Sequence, residues 1–286
     1  MNITDRISDL IRSKHTQLPT LPVIIQKIMD VVSDEDSSAS QLSEVIKKDQ
    51  AISNKILRLA NSAYFGFPTT VDSVGHAVAL IGFNEITGIV IGMSVMKVFK
   101  TQNPKHMDMD ALWTHAIGCG NAAKHISKML SVDFEENLFL AGLLHDIGKI
   151  FFIEYFPDEY QRVLTETAQT GRALHEVEYD LMGINHAQIA GKLMNQWNFP
   201  DTLVVPCSYH HDTTGCPEDH HRSARIIQYA NYLCHISGLG SSGNPLIEDN
   251  LDTRNELGFG KNDEDTMKMH LYSQVDNIQR FLQVIS

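Results

Sequence analysis

Apolar side chains recur every three to four positions along almost the whole chain. Ile3, Ile7, Leu10 and Ile11 form one such stripe, and Pro22 stands in a first-turn position ahead of Ile24, Ile28, Val31 and Val32. Ser38 is placed to cap a short helix carrying Leu42, Val45 and Ile46, and Asp49 one carrying Ile52, Ile56, Leu57 and Ala60. Gly66 and Pro68 interrupt the repeat. Asp72 then stands as a cap before Val74, Ala77, Val78 and Ile81, and Gly82 with Asn84 separates that stripe from a long apolar helix ending near Phe99.

In the second half the same spacing predicts helices near 111–130, 135–153, 157–170, 173–180, 185–196, 200–210 and 219–235. Residues 237 to about 250 are rich in Gly, Ser, Asn and Pro, which predicts a mobile loop. Leu271, Val275, Ile278, Leu282 and Ile285 restore helical spacing, with Asp263, Glu264 and Asp265 placed favourably at the helix start. No alternating β-branched run competes, so the expected class is all-α. Asn103 and Pro104 open a polar stretch that marks a boundary. The expected division is an N-terminal helical bundle at 1–104 packed against a histidine-bearing subdomain at 105–236, with a loop and C-terminal helix at 237–286 packing back on the core.

Composition narrows the classes of function. A chain of 286 residues, 43% hydrophobic, buries a substantial core. Its formal net charge of -12 repels phosphate, which argues against DNA and anionic membranes as partners but leaves room for a small phosphorylated ligand held by a metal. The apolar stretch from Ile86 to Val98 is shorter than the roughly 20 residues a bilayer demands. Cys119, Cys207, Cys216 and Cys234 show no CxxC spacing, and no signal segment precedes the first helix, so a cytoplasmic protein with free thiols is expected.

The chemistry concentrates at Leu143-Leu144-His145-Asp146-Ile147-Gly148-Lys149, with His115 upstream and His186, His210 and His211 downstream. Imidazoles and a carboxylate among apolar runs are the ligand set of a non-haem iron, manganese or zinc centre. With 14 histidines in the chain, some are ordinary surface groups. Adjacent helical residues point about 100° apart, so His145 and Asp146 grip one metal only where a helix end or bend turns both inward; otherwise Asp146 bridges or orients. Burying both without partners is expensive. Lys149, one turn after His145, either pairs with Asp146 or Glu154 or holds a phosphate beside the metal. Of the consecutive His210 and His211, one is expected as a ligand and the other as a contact to a ligand or substrate.

At these residues the chain resembles the HD superfamily of metal-dependent phosphohydrolases, and most closely the HDOD domain, an HD-related output domain of bacterial signalling proteins. His115, His145 and Asp146 fit the first three positions of the HD signature, and Asn231 stands where the closing aspartate is expected. Leu18-Pro19-Thr20-Leu21-Pro22, the run from Ile56 to Phe65, and Ala77 to Gly82 resemble characteristic HDOD segments, so the likeness spans roughly Thr16 to His235. The related HD-GYP phosphodiesterases carry His-Asp-x-Gly-Lys, a further histidine and a His-His doublet. Here His145 to Lys149, His186 and His210-His211 match them, while the segment through Pro217 is a shortened remnant of their substrate-recognising stretch.

The resemblance implies a metal set of His115, His145, Asp146, His186, His210, His211 and Asn231, holding one or two iron, manganese, zinc, magnesium or nickel ions. An amide at Asn231 is a weaker, neutral ligand, so one metal position should bind less tightly. It also implies a regulatory module that acts through a signalling protein partner, with a metal or cyclic nucleotide as ligand. The competing reading is a phosphohydrolase in which Asp146 ligates the metals and Lys149 holds phosphoryl oxygens.

Overall fold

A computed structural model describes residues 3–12, 21–32, 34, 37–99, 107–131 and 137–285. The Leu18-Pro19-Thr20 segment and the Asn103–Pro104 boundary lie outside the described residues. Among those described, every regular element is helical. The sixteen α-helices are α1 (Ile3–Arg12), α2 (Val23–Val32), α3 (Ala39–Ile46), α4 (Gln50–Ala60), α5 (Val74–Ile81), α6 (Phe83–Val98), α7 (Met109–Met129), α8 (Leu138–Leu144), α9 (Ile147–Tyr155), α10 (Pro157–Thr170), α11 (Leu174–Met182), α12 (His186–Gln196), α13 (Asp201–Ser208), α14 (His221–Ile236), α15 (Leu251–Glu256) and α16 (Lys261–Ile285). The chain divides into two units, one of residues 1–19 and 99–272, the other of residues 20–98 and 273–286.

The smaller unit is built round α6, whose residues from Glu85 to Met96 are all buried. A helix apolar on every side belongs at the centre of a bundle, and α2, α4 and α5 pack on it. Ser38 caps α3 through a reciprocal box with Gln41, and Asp49 caps α4 through Ile52 N–H. Asp72 is not the cap of α5: Ser73 accepts from His76 N–H instead, and the Asp72 carboxylate lies 3.4 Å from His76 Nδ1. Asn61 holds the turn after α4 by exchanging two hydrogen bonds with Val71, each 2.8 Å. No single helix among the described residues is long and apolar enough to cross a membrane.

The larger unit centres on α7, which lies against α8 and α14, while α12 packs on α9 and α13. The expected single helix over 135–153 is two helices, with His145 and Asp146 at the break between α8 and α9. His145 Nδ1 donates to Gly142 O at 2.7 Å, taking up a carbonyl freed at the end of α8. The chain then restarts at Ile147, tightly against the start of α12: a Cβ placed on Gly148 would fall 2.0 Å from His186 O.

The segment after α14 corrects the expectation of a mobile loop. Ser241 N–H donates to Ala111 O at 3.0 Å and Ser242 is buried. Gly240 has φ +67 and passes so close to α7 that a Cβ would lie 2.4 Å from both Ala111 O and His115 N. Glycine is required there twice over. The loop is a strap along α7, and the polar stretch beyond it contains α15 and the first turn of α16, where Asp263 and Glu264 supply the expected acidic residues.

Candidate metal centre

Four helix ends and one helix interior bring the site together. His145 and Asp146 come from the break between α8 and α9, His186 opens α12, His210 and His211 follow α13, and His115 sits within α7. All but His211 are almost fully buried. His186 Nε2 lies 3.2 Å and His210 Nε2 3.9 Å from Asp146 Oδ1, while His145 Nε2 lies 3.4 Å from Asp146 Oδ2. Two atoms bonded to one ion at about 2.1 Å stand roughly 3 to 4.2 Å apart, so this spacing suits a shared metal.

Tautomers follow from the partners. A carbonyl only accepts, so His145 gives its Nδ1–H to Gly142 O and His210 gives its own to Cys207 O, each at 2.7 Å. Neutral rings so bonded present Nε2 as a lone pair. His186 is held by a carboxylate in the same way: Glu178 Oε2 accepts from its backbone N–H at 2.7 Å and its Nδ1–H at 2.6 Å. Tyr160 O–H donates to the other Glu178 oxygen at 2.8 Å. This is the outer arrangement that orients histidine ligands toward a metal.

Three buried atoms in this pocket have no hydrogen-bond partner: His145 Nε2, His210 Nε2 and Asp146 Oδ1. These side chains also form one group whose donor atoms lie within 4.8 Å of one another. Buried polar atoms are rarely left so, and three converging on one point fit a cation. The residues present therefore fit a metal ion.

Asp146 Oδ2 and His115 are engaged otherwise. Lys149, itself buried, donates to Asp146 Oδ2 at 2.7 Å and to Ser242 O at 3.0 Å, and does not pair with Glu154. Asn231 Oδ1 accepts from His115 Nε2 at 3.0 Å, with Cys119 Sγ 3.4 Å from the same nitrogen. The His211 ring reaches His186, Nε2 to Nε2 at 2.9 Å, and stacks on His175 at 4.1 Å on its other side.

Burial holds His145 below the usual imidazole range and His115 and His210 well below it. At His186 burial is the largest effect and acts in the same direction, but the Glu178 and Asp146 carboxylates together outweigh it and raise the ring. Burial pushes Asp146 up; the neighbouring His145, the Lys149 ammonium and the His186 ring together more than offset it and hold the carboxyl well below its ordinary range.

Glu178, Cys119, His175, Ser242, His235 and Glu248 are the contributors that sequence reasoning missed. Ser242 contributes a backbone carbonyl, which no residue type announces, and its Oγ lies 2.8 Å from His235 Nε2. Glu178, eight residues before His186 on a different helix, carries no spacing signal.

Comparison with known proteins gives the family. A profile of the HDOD domain matches residues 18–213. A curated, uncharacterised protein of Treponema pallidum (strain Nichols) is 23% identical over 231 residues, 80% of this chain, which spans 43% of that relative's length. A solved HDOD domain protein of unknown function from Geobacter sulfurreducens is 22% identical with a TM-score of 0.81, covering 99% of this chain and 97% of its own. A structure from Marinobacter aquaeolei VT8, of a protein named as a candidate for signal transduction, is 21% identical with a TM-score of 0.82, covering 99% of this chain and 65% of that one. The chain belongs to the HDOD domain family.

Proposed function

We propose that this chain is a regulatory module of bacterial signal transduction, acting through a protein partner, whose HD-type pocket holds a single metal ion as a structural or sensory group. The carrying observation is the convergence of His145 Nε2, His210 Nε2 and Asp146 Oδ1 without hydrogen-bond partners. His186 Nε2, 3.2 Å from Asp146 Oδ1 but in contact with His211 Nε2 at 2.9 Å, becomes a fourth donor where it exchanges that contact for the ion. Nitrogen with one carboxylate oxygen suits iron, manganese, nickel or zinc better than magnesium. When bound, the ion would act as a Lewis acid toward an oxygen ligand.

The proposal assigns one ion because the donors of a second are already used. Lys149 places its positive charge on Asp146 Oδ2, and Asn231 holds His115. His211 already gives its Nε2 to His186 Nε2 at 2.9 Å and its ring face to His175, so His210 is the ligand of that doublet in this reading. The division into an N-terminal bundle at 1–104, a histidine-bearing subdomain at 105–236 and an end piece at 237–286 is part of the same proposal.

Hydrolysis is the second reading, supported by the Asp146–Lys149 pair at the donor cluster. There Lys149 would hold a phosphoryl oxygen in place of Ser242 O, and the pocket would need its second ion. Tag-free protein loaded with iron, manganese or zinc, then offered cyclic dinucleotides, cyclic mononucleotides and nucleotide monophosphates, separates the two. The regulatory reading expects about one ion per chain and no turnover. Turnover lost in Lys149→Met with the ion retained would replace it with the hydrolase.

A further inference from the structure

A second cluster of donors lies outside the inner centre, where the strap meets α11 and the end of α13. His175 Nδ1 is 3.9 Å and His211 Nδ1 4.0 Å from Glu248 Oε2, and the three donor atoms lie within 4.8 Å of one another. We propose that His175, His211 and Glu248 form an outer site for a divalent transition-metal ion of the zinc class, and that this ion staples the strap carrying Glu248 to the helices over the inner centre.

Two observations distinguish this from a packed imidazole pair beside a surface carboxylate. His175 Nδ1 is buried and has no hydrogen-bond partner, although His175 is a side chain with access to solvent at 17%. Among the described residues no lysine or arginine pairs with Glu248; its ion-pair partners are these two rings, and the like charge of Glu176 nearby adds to the need for a cation. A lone pair without a proton donor and a carboxylate without a cation, side by side, are both satisfied by one cation.

The dimensions and donor types choose the ion. With two donor separations of 3.9 and 4.0 Å and the third within 4.8 Å, a point among the three lies roughly 2.3 to 2.5 Å from each, so a contraction of a few tenths of an ångström reaches the roughly 2.0–2.2 Å of zinc bonds. Closing it turns the stacked rings, now 16° from parallel, toward the ion. Two imidazoles and one carboxylate favour zinc, cobalt, nickel or copper over calcium or magnesium, and leave room for water as a further ligand.

The three donors come from separate stretches of chain, and this gives the site its consequence. Glu248 follows Ser242, whose carbonyl takes the Lys149 ammonium, and Asn244, whose Oδ1 accepts from Leu174 N–H at 3.2 Å. An ion joining Glu248 to His175 and His211 therefore adds a tie to the segment that covers Lys149. Filling the outer site shuts the inner one more firmly.

The test uses the full tag-free chain, stripped with chelator and titrated with Zn²⁺ by calorimetry and Co²⁺ by visible absorption. Wild type is expected to take two equivalents, Glu248→Gln and His175→Gln one each, and His145→Gln to keep the outer equivalent, with folding checked by circular dichroism. Amide exchange across 239–244 should slow about tenfold on filling the outer site in wild type and not in Glu248→Gln. If both outer variants bind as many ions as wild type, with affinities within about threefold, the proposal fails. A single equivalent abolished by Glu248→Gln but not by His145→Gln keeps the outer site and removes the inner one. The reverse pattern removes the outer site alone, and no binding at all overturns both.

Discussion

The two oxygens of Asp146 face different partners. Oδ2 takes the Lys149 ammonium at 2.7 Å, and Oδ1 lies among imidazole nitrogens. A carboxyl held so far down adds stability that is fully present above its unfolded-state value of about 3.9 and is lost as pH falls through the lower folded value. Asp146→Asn removes it and leaves Lys149 buried without a counter-charge, so stability at pH 7 should drop by about 3–5 kcal/mol. Urea denaturation should show the gap between variant and wild type narrowing as pH falls below about 4; a gap constant from neutral pH to strong acid would place the stabilisation elsewhere. Glu178 works one step further out. Glu178→Gln removes the charge that orients His186, and zinc affinity at the inner site is expected to fall about 10–100-fold in competition titrations while helix content is kept. An unchanged affinity would take His186 out of the ligand set.

Between elements, backbone closeness decides where the donors stand. Gly148 on α9 abuts the backbone of His186, 2.0 Å from where a Cβ would be, whereas at Gly191 on α12 the near atom is the Oγ of Ser208, also at 2.0 Å. A hydroxyl can swing aside and a carbonyl at a helix start cannot. Gly148→Ala is therefore expected to cost about 3 kcal/mol or more and to weaken zinc binding, and Gly191→Ala to cost about 1 kcal/mol with binding unchanged. Thermal unfolding and calorimetry read both, and equal losses in the two variants would contradict the account. The caps act locally. Asn185 caps α12 in a reciprocal box with Gln188 directly before His186, so Asn185→Ala should cost about 1 kcal/mol.

At the scale of the molecule, α16 contributes to both units, its residues from 273 onward belonging to the smaller one. Phe281 is fully buried there, its ring 5.1 Å from that of Tyr64. Phe281→Ala should destabilise the smaller unit by about 3–5 kcal/mol. The two tryptophans, Trp113 and Trp197, both lie in the larger unit, so their fluorescence reports on it alone. The variant should therefore lose part of its far-ultraviolet signal at lower urea with a smaller shift in the fluorescence midpoint. Coincident shifts would mean that the units unfold as one. The net charge of -12 repels anions over about a Debye length, so any nucleotide ligand should associate faster as salt rises toward physiological strength.

The helical class, the caps at Ser38 and Asp49, and the imidazoles gathered round Asp146 were legible in the chain itself, because periodicity, capping and donor chemistry are properties of neighbouring residues. The break at His145 was not, since an unbroken apolar run reads as one helix until a side chain takes one of its carbonyls. Nor was the cap at Ser73, where two adjacent residues of capping type compete and local geometry selects one. The strap read as loose because Gly, Ser and Asn are loop residues; what anchors it is the approach of Gly240 to α7 and a Ser242 carbonyl meeting a lysine ninety-three positions away. Pairing Lys149 with Asp146 rather than Glu154, and joining His175, His211 and Glu248, likewise depended on distances between segments far apart in the chain. Sequence specifies which groups are available, and tertiary packing decides which lone pairs and charges are left facing one another.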